Sequence, residues 1–465
     1  MTTMRGLGLA AAGLAALALT TAACGGSNSS AGGMPGAEAA QLVPPDALAL
    51  VSVNTDFDAQ QWQRLDELTR GLPARERVVR MVREALAKQK LEFDRDVRSA
   101  LGPEVDLAVL GVEKDEPEVV ALARPEDEAK LKSLADLYSE GSDHYTVERV
   151  GDWSVVADSR EAFESVRAAR DGRSLADEAG FQAASGRLGD DAVARVYVGA
   201  AAARALPASL QALGRVAGNP DWAAASLAAE DDALRIRVAA DRTAATPAPY
   251  KPRLLGEVPT GASLAISFRG LDDLLTRLRA EPTLSAFGEA VREYLGVGVG
   301  ELAPLLRGEG VLYARAAGIL PTLALELESQ HPEEAAQVLR RVAAQLGAKA
   351  GGFLTPSVST RPGRVVLATS PQAAAELASS GPKLVDDEGF KDALANADVP
   401  DEVTGLVYAD VEALLPLVQL LAAAVGKPLS PDTTTSLQRI STLVAYGTAD
   451  SDTARFETRL QLRGR

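Results

Sequence analysis

The sequence is poor in the side chains that most often bind metals or act as nucleophiles. Its 465 residues include one cysteine, Cys24, and two histidines, His144 and His331. A single cysteine excludes an intramolecular disulfide and a cysteine-rich zinc site. Neither histidine has a second histidine three or four residues away, so both are interpreted as exposed turn residues. No metal site is predicted.

The sequence also lacks an excess of positive charge and is poor in aromatic residues. Its formal net charge is -16, which disfavours nucleic acid as a partner and a polybasic membrane-binding patch. Aromatic residues make up only 4%, which disfavours a surface that stacks against sugar rings. With 46% hydrophobic and 24% charged residues, the chain can bury the cores of two or three globular domains.

Common catalytic motifs are missing as well. The sequence contains no G-x-S-x-G, no G-x-x-x-x-G-K-[ST] and no H-E-x-x-H. Glycines do recur at Gly296, Gly298 and Gly300, but they follow a helical pattern rather than a strand. This order favours the end of a helix and a connecting loop over a phosphate-binding loop. No cofactor is predicted.

Two pairs of neighbouring carboxylates are the candidates for acid–base chemistry: Asp177 with Glu178, and Asp386 with Asp387. General acid–base catalysis would need them in a cleft that shifts their pKa values. Each pair directly precedes a predicted helix, where carboxylates cap free N–H groups and interact favourably with the helix dipole. We therefore interpret both pairs as helix caps and predict no catalytic residue.

What the sequence does contain is a secretion signal at its N-terminus. Residues 1–23 combine Arg5 with an apolar run that ends in small residues, as in a signal peptide. The stretch TAACG, which includes Cys24, resembles the lipobox of bacterial lipoproteins, with Thr21 where Leu, Val or Ile is usual. The resemblance implies cleavage before Cys24 and attachment of lipid, such as palmitate, to its thiol. Residues 24–41, rich in Gly and Ser, are predicted to form a flexible tether.

The rest of the chain contains two related halves. Four sequence blocks recur in the same order, 209 to 215 residues apart. The matching positions are Val43-Pro44 and Val258-Pro259, Ser159 and Ser370, Phe181 and Phe390, and Tyr197 and Tyr408. We predict a tandem duplication, with a first repeat at 42–245, a proline-rich linker at 246–256 and a second repeat at 257–465.

Both halves have the same predicted order of strands and helices. Many of the connections join one strand directly to the next, and the helices cluster between these hairpins. This arrangement favours an α+β fold in which each repeat is a largely antiparallel sheet covered by helices. Phe181 and Phe390 are predicted to be core anchors, and Tyr197 and Tyr408 to be partly buried strand residues.

The lipobox, the Val-Pro opening and the duplicated unit together resemble the bacterial envelope lipoproteins of family DUF3352, over roughly residues 40–465. The resemblance implies no established activity and no site residues. We predict a non-enzymatic lipoprotein, anchored through Cys24 on the extracytoplasmic face of the cell membrane. Its role would be binding or scaffolding, with an envelope protein or an apolar small molecule as partner.

Two alternatives to this function stay open at the level of sequence. One is a carrier that encloses a lipid or another apolar molecule in a cavity lined by Leu, Val and Ala. The other is an envelope hydrolase, in which carboxylates such as Asp177 or Asp386 converge in a cleft.

Overall fold

The computed structural model describes residues 36–113, 116–139, 144–189, 191–205, 208–315, 322–351, 354–424 and 426–463. Helices and antiparallel strands are mixed along the chain, which confirms the predicted α+β class. The described residues divide into two compact units. Unit 1 contains residues 36–205, 221–241 and 462–463, and unit 2 contains residues 208–220 and 242–461, each apart from the gaps already given.

Unit 1 is built on eight strands. They are β1 (Ala49–Asn54), β2 (Glu104–Glu113), β3 (Glu116–Ala123), β4 (Thr146–Val150), β5 (Trp153–Ala157), β6 (Ala194–Gly199), β7 (Trp222–Ala229) and β8 (Ala233–Asp241). Their order in the sheet is β4-β5-β3-β2-β1-β6-β7-β8, and every pairing is antiparallel. β1 therefore lies in the middle of the sheet.

The helices of unit 1 lie between these strands. The α-helices are α1 (Gln60–Thr69), α2 (Pro73–Lys88), α3 (Ser99–Leu101), α4 (Glu128–Tyr138), α5 (Arg160–Asp171), α6 (Ala179–Ser185) and α7 (Ala202–Ala205). A π-helix (Phe93–Arg98) precedes α3, and two 3-10 helices occur at Ala39–Leu42 and Leu175–Asp177.

Unit 2 also has eight strands. They are β9 (Leu264–Arg269), β10 (Glu309–Arg315), β11 (Thr322–Glu328), β12 (Ser357–Arg361), β13 (Arg364–Ala368), β14 (Gly405–Asp410), β15 (Ile440–Ala449) and β16 (Thr453–Leu462). Their order is β12-β13-β11-β10-β9-β14-β15-β16. Counted from the first strand of each unit, this order is the same as in unit 1. That the two units arose by duplication stays a prediction.

Unit 2 has the larger share of helices. The α-helices are α8 (Ala208–Val216), α9 (Leu271–Ala280), α10 (Ser285–Leu295), α11 (Val299–Leu302), α12 (Pro332–Lys349), α13 (Pro371–Ala378), α14 (Glu388–Asn396), α15 (Val411–Ala424) and α16 (Pro431–Gln438). Short 3-10 helices occur at Arg253–Glu257, Pro282–Leu284, Ala303–Leu306 and Leu384–Asp386. No helix in the described ranges is both long and apolar enough to cross a membrane.

An aromatic pair lies in the core of each unit. Phe181 meets Tyr197 edge to face with ring centres 5.2 Å apart, and Phe390 meets Tyr408 in the same way at 4.9 Å. All four side chains are buried, and burial raises the pKa of both tyrosines to about 12. The prediction that the two phenylalanines anchor the cores is therefore confirmed.

The folded chain begins earlier than its predicted start at residue 42. Residues 36–41, predicted as part of the tether, lie against unit 1, and Ala39 and Ala40 are completely buried. The tether prediction is wrong for these residues. Gly- and Ser-rich composition obscured the apolar face that Ala39, Ala40 and Leu42 form in a turn of 3-10 helix.

The linker between the halves is also shorter than its predicted bounds at 246–256. Tyr250 is buried and forms a β-bridge with Val403, and Leu254 and Leu255 are buried in the core of unit 2. Residues 208–220 group with unit 2 as well, so the predicted first repeat at 42–245 is not one compact body. Sequence similarity locates repeats, but it does not show with which core a connecting helix packs.

An ion pair fixes α8 within unit 2 and provides a testable pH dependence. Arg215 Nε and Nη2 donate to the two carboxylate oxygens of Glu281 at 2.8 and 2.9 Å. The Arg215 guanidinium, with help from Thr283, lowers the pKa of Glu281 to about 2. The ionised pair therefore stabilises the fold fully above the unfolded-state pKa of about 4.3, and this contribution is lost as pH falls towards 2.

We expect Glu281→Gln to lower the Tm at pH 7 and to lower it less and less below pH 4. Thermal denaturation of both proteins between pH 2.5 and 7 measures the difference. A difference in Tm that is the same at pH 3 and pH 7 would show that the ion pair does not stabilise the fold.

Candidate functional site

A groove of about 540 Å³ in unit 2 is lined by residues of α9, α10 and α11. Its volume lies in the range of small-molecule sites. Four charged side chains belong to the lining: Arg279, Glu289, Arg292 and Glu301. The groove therefore combines both signs of charge with apolar walls, and it differs from the apolar cavity that the carrier alternative predicts.

The glycine-rich stretch forms one side of this groove. Gly296, with a φ of +72°, ends α10, and Gly298 caps α11. The backbone N–H of Gly298 donates to Glu301 at 3.0 Å, and Glu301 also pairs with Arg341 at 2.6 Å. Both contacts lower the pKa of Glu301, the Gly298 N–H more strongly. The stretch is a connection between two helices, as predicted.

Two of these glycines make room for arginine side chains. A Cβ at Gly300 would collide with the guanidinium of Arg279, and a Cβ at Gly298 would lie 3.2 Å from Arg292 Nη2. Arg292 interacts electrostatically with Glu301. Arg279 forms no hydrogen bond or ion pair with another residue in the described ranges, so its cation is available to a molecule in the groove.

A second polar cluster lies inside unit 1, on the middle strands of the sheet. Ser52 of β1 is directly opposite Asp106 of β2 and Arg195 of β6, and all three are buried. Neither carboxyl oxygen of Asp106 has a hydrogen-bond partner of ordinary geometry among the described residues, although the Ser52 hydroxyl is near enough to favour the ionised form of Asp106. Burial, together with the nearby Glu104 carboxylate, raises the pKa of Asp106 well above its usual range.

The segment before β1 covers this cluster. The backbone N–H of Gly36 donates to Glu104 Oε1, and Glu38 pairs with Arg124. Arg124 Nη2 also lies 3.5 Å from Glu104 Oε2, and its guanidinium stacks 4.4 Å from the ring centre of Trp153. Burial raises the pKa of Glu104 in spite of these partners.

Little empty space remains beneath this segment. The cavity beside Gly36, Ser52, Arg195 and Tyr197 has a volume of about 20 Å³. That is room for about one water molecule, and far less than a lipid requires.

Unit 2 repeats this arrangement with different side chains. The backbone N–H of Leu254 donates to Glu309 Oε1 at 2.6 Å, and the Tyr250 hydroxyl lies 2.8 Å from the hydroxyl of Ser267. Burial raises the pKa of Glu309 and of Tyr250, the latter to about 12. In both units, the segment before the first strand therefore donates a backbone N–H to a glutamate at the start of the second strand, half-buried Glu104 in unit 1 and buried Glu309 in unit 2.

The carboxylates singled out from the sequence cap helices. Asp177 accepts hydrogen bonds from the backbone N–H and hydroxyl of Ser174 at 2.9 and 3.1 Å, and both lower the pKa of Asp177, the N–H more strongly. Asp387 accepts from the backbone N–H three residues further on at 3.1 Å. Asp386 is exposed, and Glu178 takes part in an ion pair. Asp387 caps the helix that follows it, as predicted, whereas Asp177 completes the capping box of the 3-10 helix Leu175–Asp177 and does not cap α6. Neither Asp177 nor Asp386, on which the hydrolase alternative rested, lines the groove of unit 2 or the small cavity of unit 1.

The remaining sequence-predicted residues do not converge. His144 and His331 are both exposed, as predicted, and His331 directly precedes α12. No group of three metal-ligating side chains comes together in the part of the chain that the structure describes. Cys24, the predicted lipidation site, lies outside the described residues.

The buried acids were missed by sequence reasoning, although a signal was present. Glu104, Asp106 and Ala108 alternate along β2 and therefore share one face of the sheet. Ala108 is completely buried, so the same face places both carboxyl groups towards the core.

The comparisons with known proteins identify a family but no function. The model of DUF3352, described as a protein of unknown function, matches residues 6–295, which is more than half of the chain. This range differs from the predicted 40–465 at both ends. No curated protein is significantly similar to the chain. A crystal structure of TP0453 (crystal form I) is 10% identical in sequence to this chain, and the match covers 73% of this chain and 96% of that one. Its TM-score of 0.16 is too low to indicate a shared fold. The chain belongs to the DUF3352 family, whose function is unknown.

Proposed function

We propose that the protein is a lipoprotein of the bacterial cell envelope, anchored at Cys24 on the extracytoplasmic face of the cell membrane, and that it acts by binding rather than by catalysis. The position of Cys24 relative to unit 1 supports the proposed anchor. The lipobox-like sequence at Cys24 is followed, after residues 24–35, by chain that is built into unit 1. The lipid would therefore be joined to the fold by a short segment.

The length of that segment fixes how far the fold lies from the membrane. Fully extended, residues 24–35 span at most about 40 Å. Stable attachment at Cys24 would need two or more acyl chains, because a single acyl chain holds a protein to a membrane only marginally. We infer that unit 1 is kept within about 40 Å of the lipid surface.

Lipid labelling tests the anchor. Cells that express the full chain are grown with a radiolabelled or clickable palmitate, and the purified protein is examined for label. We expect label on the wild type and on a matched control, Ser29→Ala, and none on Cys24→Ala. Equal labelling of Cys24→Ala, or an unlabelled wild type, would refute lipidation at this thiol.

The binding role is supported by the groove in unit 2. The Arg279 guanidinium presents a cation without a protein partner among the described residues, and Leu278, Leu284 and Val299 add apolar contact area beside it. An anionic or zwitterionic small molecule fits this lining better than a wholly apolar one.

Native mass spectrometry of the full chain in detergent tests the binding role. We expect an extra mass on the wild type and on the control Arg340→Ala, whose side chain is exposed on α12, and its loss from Arg279→Ala. A lipid-sized mass that persists in Arg279→Ala would instead support the carrier alternative. The absence of any bound mass in all three proteins would contradict binding at the groove.

A further inference from the structure

Residues 36–38, here named the N-terminal strap, lie directly over the buried acids of unit 1. Gly36 has a φ of +84°, and a Cβ at this position would collide with the Ser52 hydroxyl. Two side chains hold the strap from below, Glu104 through the Gly36 N–H and Arg124 through Glu38. The strap thus closes the sheet face above Asp106.

The strap and the residues that follow it are held by different forces. Ala39, Ala40 and Val43 are completely buried in the apolar core, whereas Ala37 is half-buried and Glu38 is exposed. Apolar burial keeps residues 39–43 in place, while polar contacts hold the strap. Opening of the strap would break the hydrogen bonds that Ala40 and Gln41 donate to Gly36 and Glu38, but it would leave the apolar burial of residues 39–43 in place.

The charges around the buried acids come from several elements. Asp106 and Glu104 project from β2, Ser52 from β1, Arg195 from β6, and Arg124 follows β3. Glu38 of the strap adds a further acid. Arg124 divides its charge between Glu38 and Glu104. Ser52 and Arg124 favour the ionised form of Asp106, but burial and the neighbouring Glu104 carboxylate outweigh them, so the ionised form is strongly disfavoured.

We propose that the N-terminal strap opens and closes over Glu104 and Asp106, and that opening releases a proton from this pair to water. In the closed state the pair shares at least one proton, which keeps a buried carboxyl group neutral. In the open state water reaches the carboxylates, and both ionise. The chemistry is the breaking of one carboxyl O–H bond, with transfer of the proton to solvent and no other reactant.

The direction of the pH effect follows from the raised pKa values of Glu104 and Asp106 in the closed state. Exposed carboxyl groups have pKa values of about 4. Between that value and the closed-state pKa, the closed state binds a proton that the open state lacks. The equilibrium constant for opening therefore rises about tenfold per pH unit over this window and levels off above the closed-state pKa.

Opening of the strap would change the distance between Cys24 and unit 1 as well as the surface that unit 1 exposes. If residues 36–38 leave the sheet face, the stretch of chain between Cys24 and the folded unit becomes longer by about 10 Å. The open strap also uncovers a carboxylate pair on the inner strands. The proton equilibrium itself does not depend on lipidation, so it can be tested separately from the proposed anchor.

Unit 2 provides an internal control for this device. Its equivalent segment is held by the buried phenol of Tyr250 and by Leu254 and Leu255, which are all at most 4% exposed. The Tyr250 hydroxyl forms a hydrogen bond with the Ser267 hydroxyl, and the residue opposite Ser267 on β10 is Val311 rather than an acid. This segment also donates a backbone N–H to a glutamate of raised pKa, Glu309, but the burial of Leu254 and Leu255 is independent of pH. We therefore expect the segment to stay closed at every pH at which the protein is folded.

Hydrogen exchange measured by mass spectrometry on the full chain in detergent tests the proposal. The backbone N–H groups of Ala40 and Gln41 donate to the carbonyl oxygens of Gly36 and Glu38, so their protection reports on the strap. After correction for intrinsic exchange rates, we expect protection in peptide 36–42 to fall about tenfold per pH unit over part of the range from pH 4.5 to 8. Protection in residues 250–257 should not change.

Two substitutions separate the proton from other effects of pH. Asp106→Asn keeps the shape of the side chain without a titrating proton, and Glu104→Gln does the same for its neighbour. We expect the pH dependence of strap protection to be greatly reduced in Asp106→Asn. In Glu104→Gln it should shift to lower pH, because loss of the neighbouring carboxylate lowers the pKa of Asp106. Should Asp106→Asn fail to fold, Glu104→Gln carries the test. Wild-type protection that is constant with pH, or variants that retain the wild-type dependence on pH, would overturn the proposal.

Discussion

Replacing Phe390 with alanine is expected to destabilise unit 2 by about 3–5 kcal/mol. The Phe390 side chain is only 2% exposed, and its ring meets the edge of Tyr408 with centres 4.9 Å apart. Truncation removes this aromatic contact and leaves a cavity that the surrounding β-strands and α14 cannot fill without moving. Urea denaturation followed by far-UV circular dichroism measures the loss.

Phe287→Ala is the matched control for this substitution. Phe287 lies on α10 and is 44% exposed, so its truncation should change the free energy of unfolding by no more than about 0.5 kcal/mol. If Phe390→Ala and Phe287→Ala destabilise the protein equally, the placement of Phe390 in the core of unit 2 is wrong.

Gly102→Ala is expected to destabilise unit 1 by about 3 kcal/mol or more. Gly102 adopts a φ of +73° and a ψ of -162°, a region that is essentially restricted to glycine. A Cβ there would collide with the backbone carbonyl of Arg124, and a backbone cannot rotate away as a side chain can. The carbonyl of Gly102 also accepts a hydrogen bond from Thr55 at 2.7 Å, which a shift of the loop would break.

Tryptophan fluorescence is the appropriate measurement for this variant. All three tryptophans, Trp62, Trp153 and Trp222, belong to unit 1. Gly151→Ala serves as control, since Gly151 also has a positive φ but open space around it, and should cost about 1 kcal/mol. If the two variants lose similar amounts of stability, the backbone conformation alone, without the collision, restricts position 102 to glycine.

The fold was predictable where a local signal coincides with the tertiary environment. Phe181 and Phe390 follow acidic residues in matching blocks, so their burial and the capping role of Asp387 could be derived from sequence alone. The α+β class followed from hairpins that alternate with amphipathic helices. In these cases propensity, hydrophobic pattern and packing all agree.

Prediction failed where small residues or buried charges decide the structure. Ala39 and Ala40 carry little hydrophobic signal, and only the sheet face that they meet makes them part of the core. Asp106 breaks the apolar pattern of β2, and sequence rules treat a carboxylate as exposed unless a partner is known. Such disagreements between local rules and structure are expected at functional sites.

The groove in unit 2 was also not predictable from the sequence. The sequence places Gly298 correctly in a connection after a helix, whereas Gly300 lies within α11. It does not show that Arg279, some twenty positions earlier, packs against Gly300, because that contact depends on how α9 and α11 meet. Residues distant in sequence form the candidate site, and no periodic pattern links them.

Membrane fractionation tests the central claim, that the protein is held to the membrane by lipid at Cys24. Membranes from cells that express the full wild-type chain or Cys24→Ala are washed with high salt and alkaline carbonate and then extracted with detergent. We expect the wild type to stay with the membrane until detergent is added, and Cys24→Ala to be absent from the washed membranes. Release of the wild type by salt or carbonate, or retention of Cys24→Ala to the same extent as the wild type, would contradict the lipid anchor.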